Sequence, residues 1–91
     1  MFKVWAKLIK DNTIIADFDI EDPSQSSFSF KRDLAFEKIC DAFDLSVPVW
    51  LPKHTQNFSQ FNRATFFPED FLDEVDFDRM EFDLIKTDVI K

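Results

Sequence analysis

Glycine is absent from this 91-residue chain. Globular proteins carry about 7% of it, and the devices that depend on it are excluded together. Without a Cβ, glycine enters left-handed backbone conformations and lets the chain approach a ligand closely. The P-loop, the dinucleotide fingerprint, the calcium loop and the nucleophile elbow all require it at fixed positions. Any left-handed position in this fold must fall to asparagine or aspartate, whose short polar side chains tolerate it.

Cysteine is nearly as scarce. Cys40 stands alone, so no internal disulfide is expected, and small secreted domains usually rely on several. A reducing, cytoplasmic setting follows as the expectation. Long apolar runs are missing too: residues 1–7 interleave Lys3 and Lys7 with apolar neighbours, unlike a signal peptide or a membrane span. Clustered basic residues are also lacking. Net charge is −7, and residues 68–91 hold nine of the 18 acids against three of the 11 bases. Phosphate contacts need grouped Lys and Arg, so direct nucleic-acid binding and anionic membranes are disfavoured as partners.

Phenylalanine fills the gap, with thirteen copies beside two Trp. Each aromatic ring buries roughly 150–250 Å². A single domain over residues 1–91 with a small, dense aromatic core is the expected result.

Residues 2–10 alternate, setting Phe2, Val4, Ala6 and Leu8 on one face and Lys3, Trp5, Lys7 and Ile9 on the other. Residues 13–20 do the same, with Ile14, Ala16, Phe18 and Ile20 on the apolar side, and the pair reads as a β-hairpin. Opposed residues must share a face, and a two-residue Asp11-Asn12 loop breaks that rule by pairing Ala6 with Asp17. A three-residue loop, Lys10-Asp11-Asn12, keeps it. That loop pairs Leu8 with Ile14, Ala6 with Ala16 and Val4 with Phe18, and it assigns positive φ to Asn12.

Polar, serine-rich residues 21–29 mark a loop, followed by a helix near Phe30–Asp44 whose apolar positions are Phe36, Ile39, Cys40 and Phe43. Pro48 and Pro52 limit Val49-Trp50-Leu51 to a short edge strand. A helical turn over 54–62, a brief strand near 63–67, a proline-led turn at Pro68-Glu69-Asp70 and a last strand over 80–85 complete the reading. The order predicts an α+β fold: a mixed sheet whose N-terminal β-hairpin is packed by one main helix. The layout is β-grasp-like, by analogy with ubiquitin, with the first and last strands as parallel central neighbours.

The stretch from Lys3 to Ile15, with Pro48-Val49-Trp50-Leu51 and Asp73-Glu74-Val75-Asp76-Phe77-Asp78, resembles a family of small acidic bacterial proteins. The resemblance spans most of the chain. It implies a small soluble bacterial protein and transfers no activity, cofactor or catalytic residue.

Three features are candidates for chemistry. His54 is the sole histidine and has no Ser, Cys or carboxylate near it in sequence, so a structural or cap-like role outranks a general base. Cys40, on the apolar helix face, reads as core filler. Asp70, Asp73, Glu74, Asp76 and Asp78 form an acidic run that lacks the glycine a calcium loop needs. No metal, cofactor or catalytic residue is assigned.

Two surfaces are candidates for a partner. Trp5, Ile9 and Ile15 on the far face of the hairpin need cover, either from the chain's own 48–67 segment or from another protein. Asp73, Glu74, Asp76 and Asp78 offer an acidic surface. The leading expectation is therefore a non-catalytic protein-interaction domain, binding an unknown protein partner or forming a homodimer. The alternative is an acidic nucleic-acid mimic that inhibits a DNA- or RNA-binding protein, of the phage or mobile-element type.

Overall fold

The computed structural model describes residues 2–87. Strands β1 (Phe2–Lys10) and β2 (Thr13–Asp22) form the N-terminal hairpin, helix α1 (Phe28–Ala42) follows, and helix α2 (Pro52–Phe61) leads into β3 (Arg63–Phe66). A 3₁₀ turn at Pro68–Asp70 precedes β4 (Arg79–Lys86). The α+β class and the hairpin packed against a helix are as expected.

Strand direction is not. The sheet runs β2-β1-β4-β3 and every pair is antiparallel, including β1 with β4. The expected parallel centre, and with it the mixed sheet, is corrected by the second helix. The short helical turn expected over 54–62 is a full ten-residue helix, α2, that begins earlier, at Pro52. Asp22 ends β2 opposite Phe2, while Arg63 begins β3 opposite Asp83, itself the partner of Trp5. The connection thus leaves and re-enters the sheet at the same end. A single helical crossing would deliver the chain to the opposite end; two in series return it. Val49-Trp50-Leu51 is not a strand, and its Trp50 ring packs on Phe36, Phe58, Phe66 and Phe82 instead.

The hairpin satisfies face parity by another route. Asp11 and Asn12 both have positive φ, giving the two-residue turn whose twist matches the strands. Ile9 pairs with Ile14 but Leu8 pairs with Ala16, so Ile15 is an extra residue, a β-bulge. One unpaired residue flips the facing, which converts the odd offset of the short turn into the even offset the core needs. Val4 then meets Ile20 and Ala6 meets Phe18, two residues from the expected register.

Four non-glycine residues among those described have positive φ, and all are Asp or Asn: Asp11, Asn12, Asp44 and Asn62. Asp44 closes α1, where the Leu45 N–H donates to Cys40 O and the Asp44 N–H to Asp41 O. That is the Schellman pattern, with aspartate in glycine's usual place. Asn62 ends α2 and passes its carbonyl to the Leu84 N–H at 2.8 Å.

The core lies between the helices and one sheet face. Phe2, Val4 and Ala6 of β1, Ala64 and Phe66 of β3, and Met80 and Phe82 of β4 are fully buried. From the helices, Phe36, Ile39 and Cys40 and then Phe58 close over them. Full burial of such a side chain contributes about 1.5–3 kcal/mol.

Candidate functional site: the outer face of the sheet

Alternation sends the other half of each strand outward, where both helices leave the sheet uncovered among the described residues. Lys3, Trp5, Lys7 and Ile9 come from β1, Asp17, Asp19 and Glu21 from β2, Arg63 from β3, and Arg79, Glu81 and Asp83 from β4. At the centre, Lys7 Nζ lies 2.7 Å from Asp83 and 3.3 Å from Glu81. Arg63 grips Asp83 through Nε at 2.7 Å and Nη2 at 3.0 Å, a bidentate pair, and Arg79 Nε donates to Glu81 at 3.0 Å.

The centre of this ionic cluster is buried, with Arg63 and Arg79 reaching in from the solvent side. Lys7 and Glu81 are 7% exposed and Asp83 is 8% exposed, although no helix lies over them. Burial pushes the Asp83 carboxyl up, but hydrogen bonds from Arg63 and Lys7 and their charges outweigh it and leave the group below its ordinary value. The hydrogen bond to Asp83 likewise raises the Arg63 guanidinium. Three cations against two carboxylates keep the centre compensated, and removing one partner would strand a buried charge.

Trp5 sits at the edge of this cluster, half-buried and held on two sides. Its indole Nε1 donates to Asp17 at 2.8 Å, and Lys7 Nζ stands 4.4 Å over its ring. Beside it a surface concavity of about 320 Å³ is lined by Lys3, Trp5, Asp17, Asp19 and Ile85. The 48–67 segment does not cover Trp5, which corrects one of the two expectations for this face. Trp50, His54 and Phe58 pack against Phe66 and Phe82 on the opposite side of the sheet, because Trp50 finds five ring partners there.

The remaining candidate surface residues separate. Ile9 is buried and lies outside the core cluster, whereas the bulged Ile15 is exposed. In the acidic run, Asp76 binds Lys10 at 2.8 Å, and Asp78 accepts from the Asp11 N–H at 2.8 Å while its own N–H donates to Ile9 O. Two acids thus bond the hairpin turn, and all four, Asp73, Glu74, Asp76 and Asp78, remain exposed. Among the described residues no three His, Cys, Asp or Glu side chains gather as a metal-ligand set.

His54 is enclosed in the core and stacks on Phe66 with ring centroids 4.2 Å apart. Its Nδ1 accepts the Leu51 N–H at 2.9 Å, satisfying a donor at the start of α2 that has no partner within the helix. Asp70 does the same for the Phe67 N–H at 2.9 Å. Both motifs read apolar-Pro-x-acceptor, Leu51-Pro52-Lys53-His54 and Phe67-Pro68-Glu69-Asp70, and the two acceptors face each other at 4.0 Å between His54 Nε2 and Asp70 Oδ2. Burial lowers the His54 pKa, with Asp70 pulling the other way, Lys53 adding to the drop, and the Thr65 backbone opposing it. Cys40 is fully buried, and burial pushes its thiol up to about 11. Such a thiol is not a ready nucleophile.

Sequence reasoning missed Arg63, Glu81 and Asp83 as members of one cluster. Alternation along 80–85 already put Glu81 and Asp83 opposite the core. Their cationic partners come from two other strands, and only the strand order names them.

Comparison with protein-family models, with curated proteins and with solved structures found no match. Among the described residues, no helix is long and apolar enough to cross a membrane.

Proposed function

We propose that this chain is a protein-interaction domain that presents the outer face of its sheet to a protein partner, with Trp5 as the anchor. One observation carries the reading: a partly buried tryptophan, fixed by Asp17 and Lys7, stands beside a concavity on the uncovered face of the sheet. Tryptophan dominates binding energy at protein interfaces, and an anchor already held in place loses little entropy on binding. The alternative, an acidic mimic of nucleic acid, would rest on exposed Asp73, Glu74, Asp76 and Asp78, of which the last two also bond the hairpin turn.

Affinity capture with purified wild type, Trp5→Ala and the Asp73→Asn/Glu74→Gln double variant separates the two. Loss of a salt-resistant partner in Trp5→Ala, with the double variant unaffected, is the expected result. A partner that dissociates as salt rises and is lost only in the double variant would favour mimicry. Capture unaltered by Trp5→Ala overturns the Trp5 reading.

A further inference from the structure

The two edges of the sheet are unequal. β3 offers four residues, whereas β2 offers ten, about 33 Å at the usual rise of an extended chain. In an antiparallel edge strand, alternate residues turn both N–H and C=O away from the sheet, ready to pair. Proteins usually blunt such an edge with charged side chains, lysine above all, or with proline, a bulge or a covering segment. The charges of β2 are all acidic, Asp17, Asp19, Glu21 and Asp22, which repel a like strand and admit a basic one; its one bulge, at Ile15, lies near the turn, so Ala16–Asp22 runs in unbroken register.

The two rows of β2 differ in chemistry. On the outer face Asp17, Asp19 and Glu21 form an exposed acidic row. On the helix side Phe18 is 41% exposed and Phe30 of α1 is 56% exposed. Between β2 and α1 lies a cavity of about 290 Å³, lined by Ile20, Phe30, Leu34 and Ala35 and by polar groups that include Asp22, Ser24 and Lys38. An added strand would therefore meet carboxylates on one side and a trough of mixed lining, apolar beside Phe30, on the other.

β1, which already pairs with the inner edge of β2, shows what satisfies these rows. Lys3 lies opposite Glu21, 3.5 Å from it and 3.6 Å from Asp19, while Asp17 accepts from the Trp5 indole. Val4 and Ala6 lie opposite Ile20 and Phe18. A second copy of this chain is a poor occupant. Antiparallel β2–β2 pairing would set Asp17, Asp19 and Glu21 against one another, and like charges directly opposed across strands are destabilising.

We propose that the outer edge of β2 takes an extended segment of another protein as a fifth strand, one in which lysine or arginine alternates with apolar residues. Main-chain hydrogen bonds supply affinity, the Asp17/Asp19/Glu21 row selects the basic side chains, and the trough beside Phe30 receives the apolar ones. The inference rests on the protein-interaction reading and names a partner chemistry for it.

The test uses a capped heptapeptide alternating lysine with valine, titrated into the full chain and followed by amide chemical shifts. Saturable shifts confined to residues 16–22 and to Phe30–Ala35 are expected. Methylating alternate peptide nitrogens should weaken binding about tenfold or more, since the lost bonds are the main-chain ones. An acidic heptapeptide alternating glutamate with valine should not bind. The Asp19→Asn/Glu21→Gln variant, neutral at two exposed positions and free of like charges against Lys3, should keep its fold and lose about tenfold in affinity for the basic peptide. Equal binding by the methylated peptide, or shifts centred on Trp5, overturns strand addition, as does a dimer that the peptide dissociates. A Trp5-dependent partner captured despite no peptide binding overturns this inference alone and leaves the interaction-domain reading standing.

Discussion

Along β4 the two faces of the sheet are both buried, by opposite means. Phe82 is sealed beneath the helices among Phe36, Trp50 and Phe58. Its neighbours Glu81 and Asp83 are nearly as buried on the uncovered face, enclosed by Lys7, Arg63 and Arg79. The helix side is held by apolar burial, which any well-fitting hydrophobe supplies. The outer side is held by charge, which only particular partners at particular distances supply. Packing therefore sets stability on one face and specificity of arrangement on the other.

Truncation gives the largest contrast. Phe82→Ala should cost about 3–5 kcal/mol, because a ring is lost from a close-packed site and a cavity remains. Lys7→Met should cost less, up to about 3 kcal/mol, because Arg63 and Arg79 still face Glu81 and Asp83 after the buried cation is gone. Urea denaturation measures both. A cost below about 1 kcal/mol for Lys7→Met would mean the outer cluster behaves like ordinary solvated surface pairs.

Acid separates the two faces by pH. The folded state holds His54 below its ordinary pKa of 6.5, chiefly through burial. Protonation is thus favoured in the unfolded chain, and stability present above about pH 6.5 falls as pH drops through and below that value. Asp83 is also held below its ordinary pKa of 3.8, so the outer face keeps its contribution until pH falls below about 4. Denaturation midpoints between about pH 7.5 and 5 should decline in wild type and stay nearly flat in His54→Gln, an uncharged substitution. An equal decline in both would assign the slope to other groups.

The smallest effect tests the turn that sets the register of both faces. Asn12 has φ near 62°. Asn12→Ala should destabilise by about 1 kcal/mol, whereas Asn12→Gly should be neutral or slightly stabilising. Thermal melts of the two variants check this, and a tolerated alanine would contradict the left-handed turn.

Legibility in the sequence followed the range of the interactions. Alternation in 2–10 and 80–85 named the core residues Phe2, Val4, Ala6, Met80 and Phe82, because side-chain direction in a strand repeats every two residues. The absence of glycine correctly confined positive φ to Asp and Asn. The bulge at Ile15 was not legible, since nothing in Ile14-Ile15-Ala16 marks which residue goes unpaired. The helical character of 54–62 was legible from Phe58 and Phe61, but the start of α2 was not: Lys53-His54-Thr55-Gln56-Asn57 carries no apolar periodicity of its own, and the first turn is fixed by His54 capping Leu51. Trp5 was legible as an outward tryptophan; its setting between Asp17 and Lys7 required the pairing register.

By itself the sequence determined an α+β fold, a hairpin at its start, an aromatic core on one face, and aspartate or asparagine wherever the backbone turns left-handed. These follow from local periodicity and single-residue stereochemistry. Tertiary structure decided the strand order β2-β1-β4-β3, the all-antiparallel sense, the ion cluster joining Lys7, Arg63, Glu81 and Asp83, and the exposed acidic edge of β2. Each of those depends on which distant segments become neighbours, and that is settled by where two successive helices return the chain to the sheet.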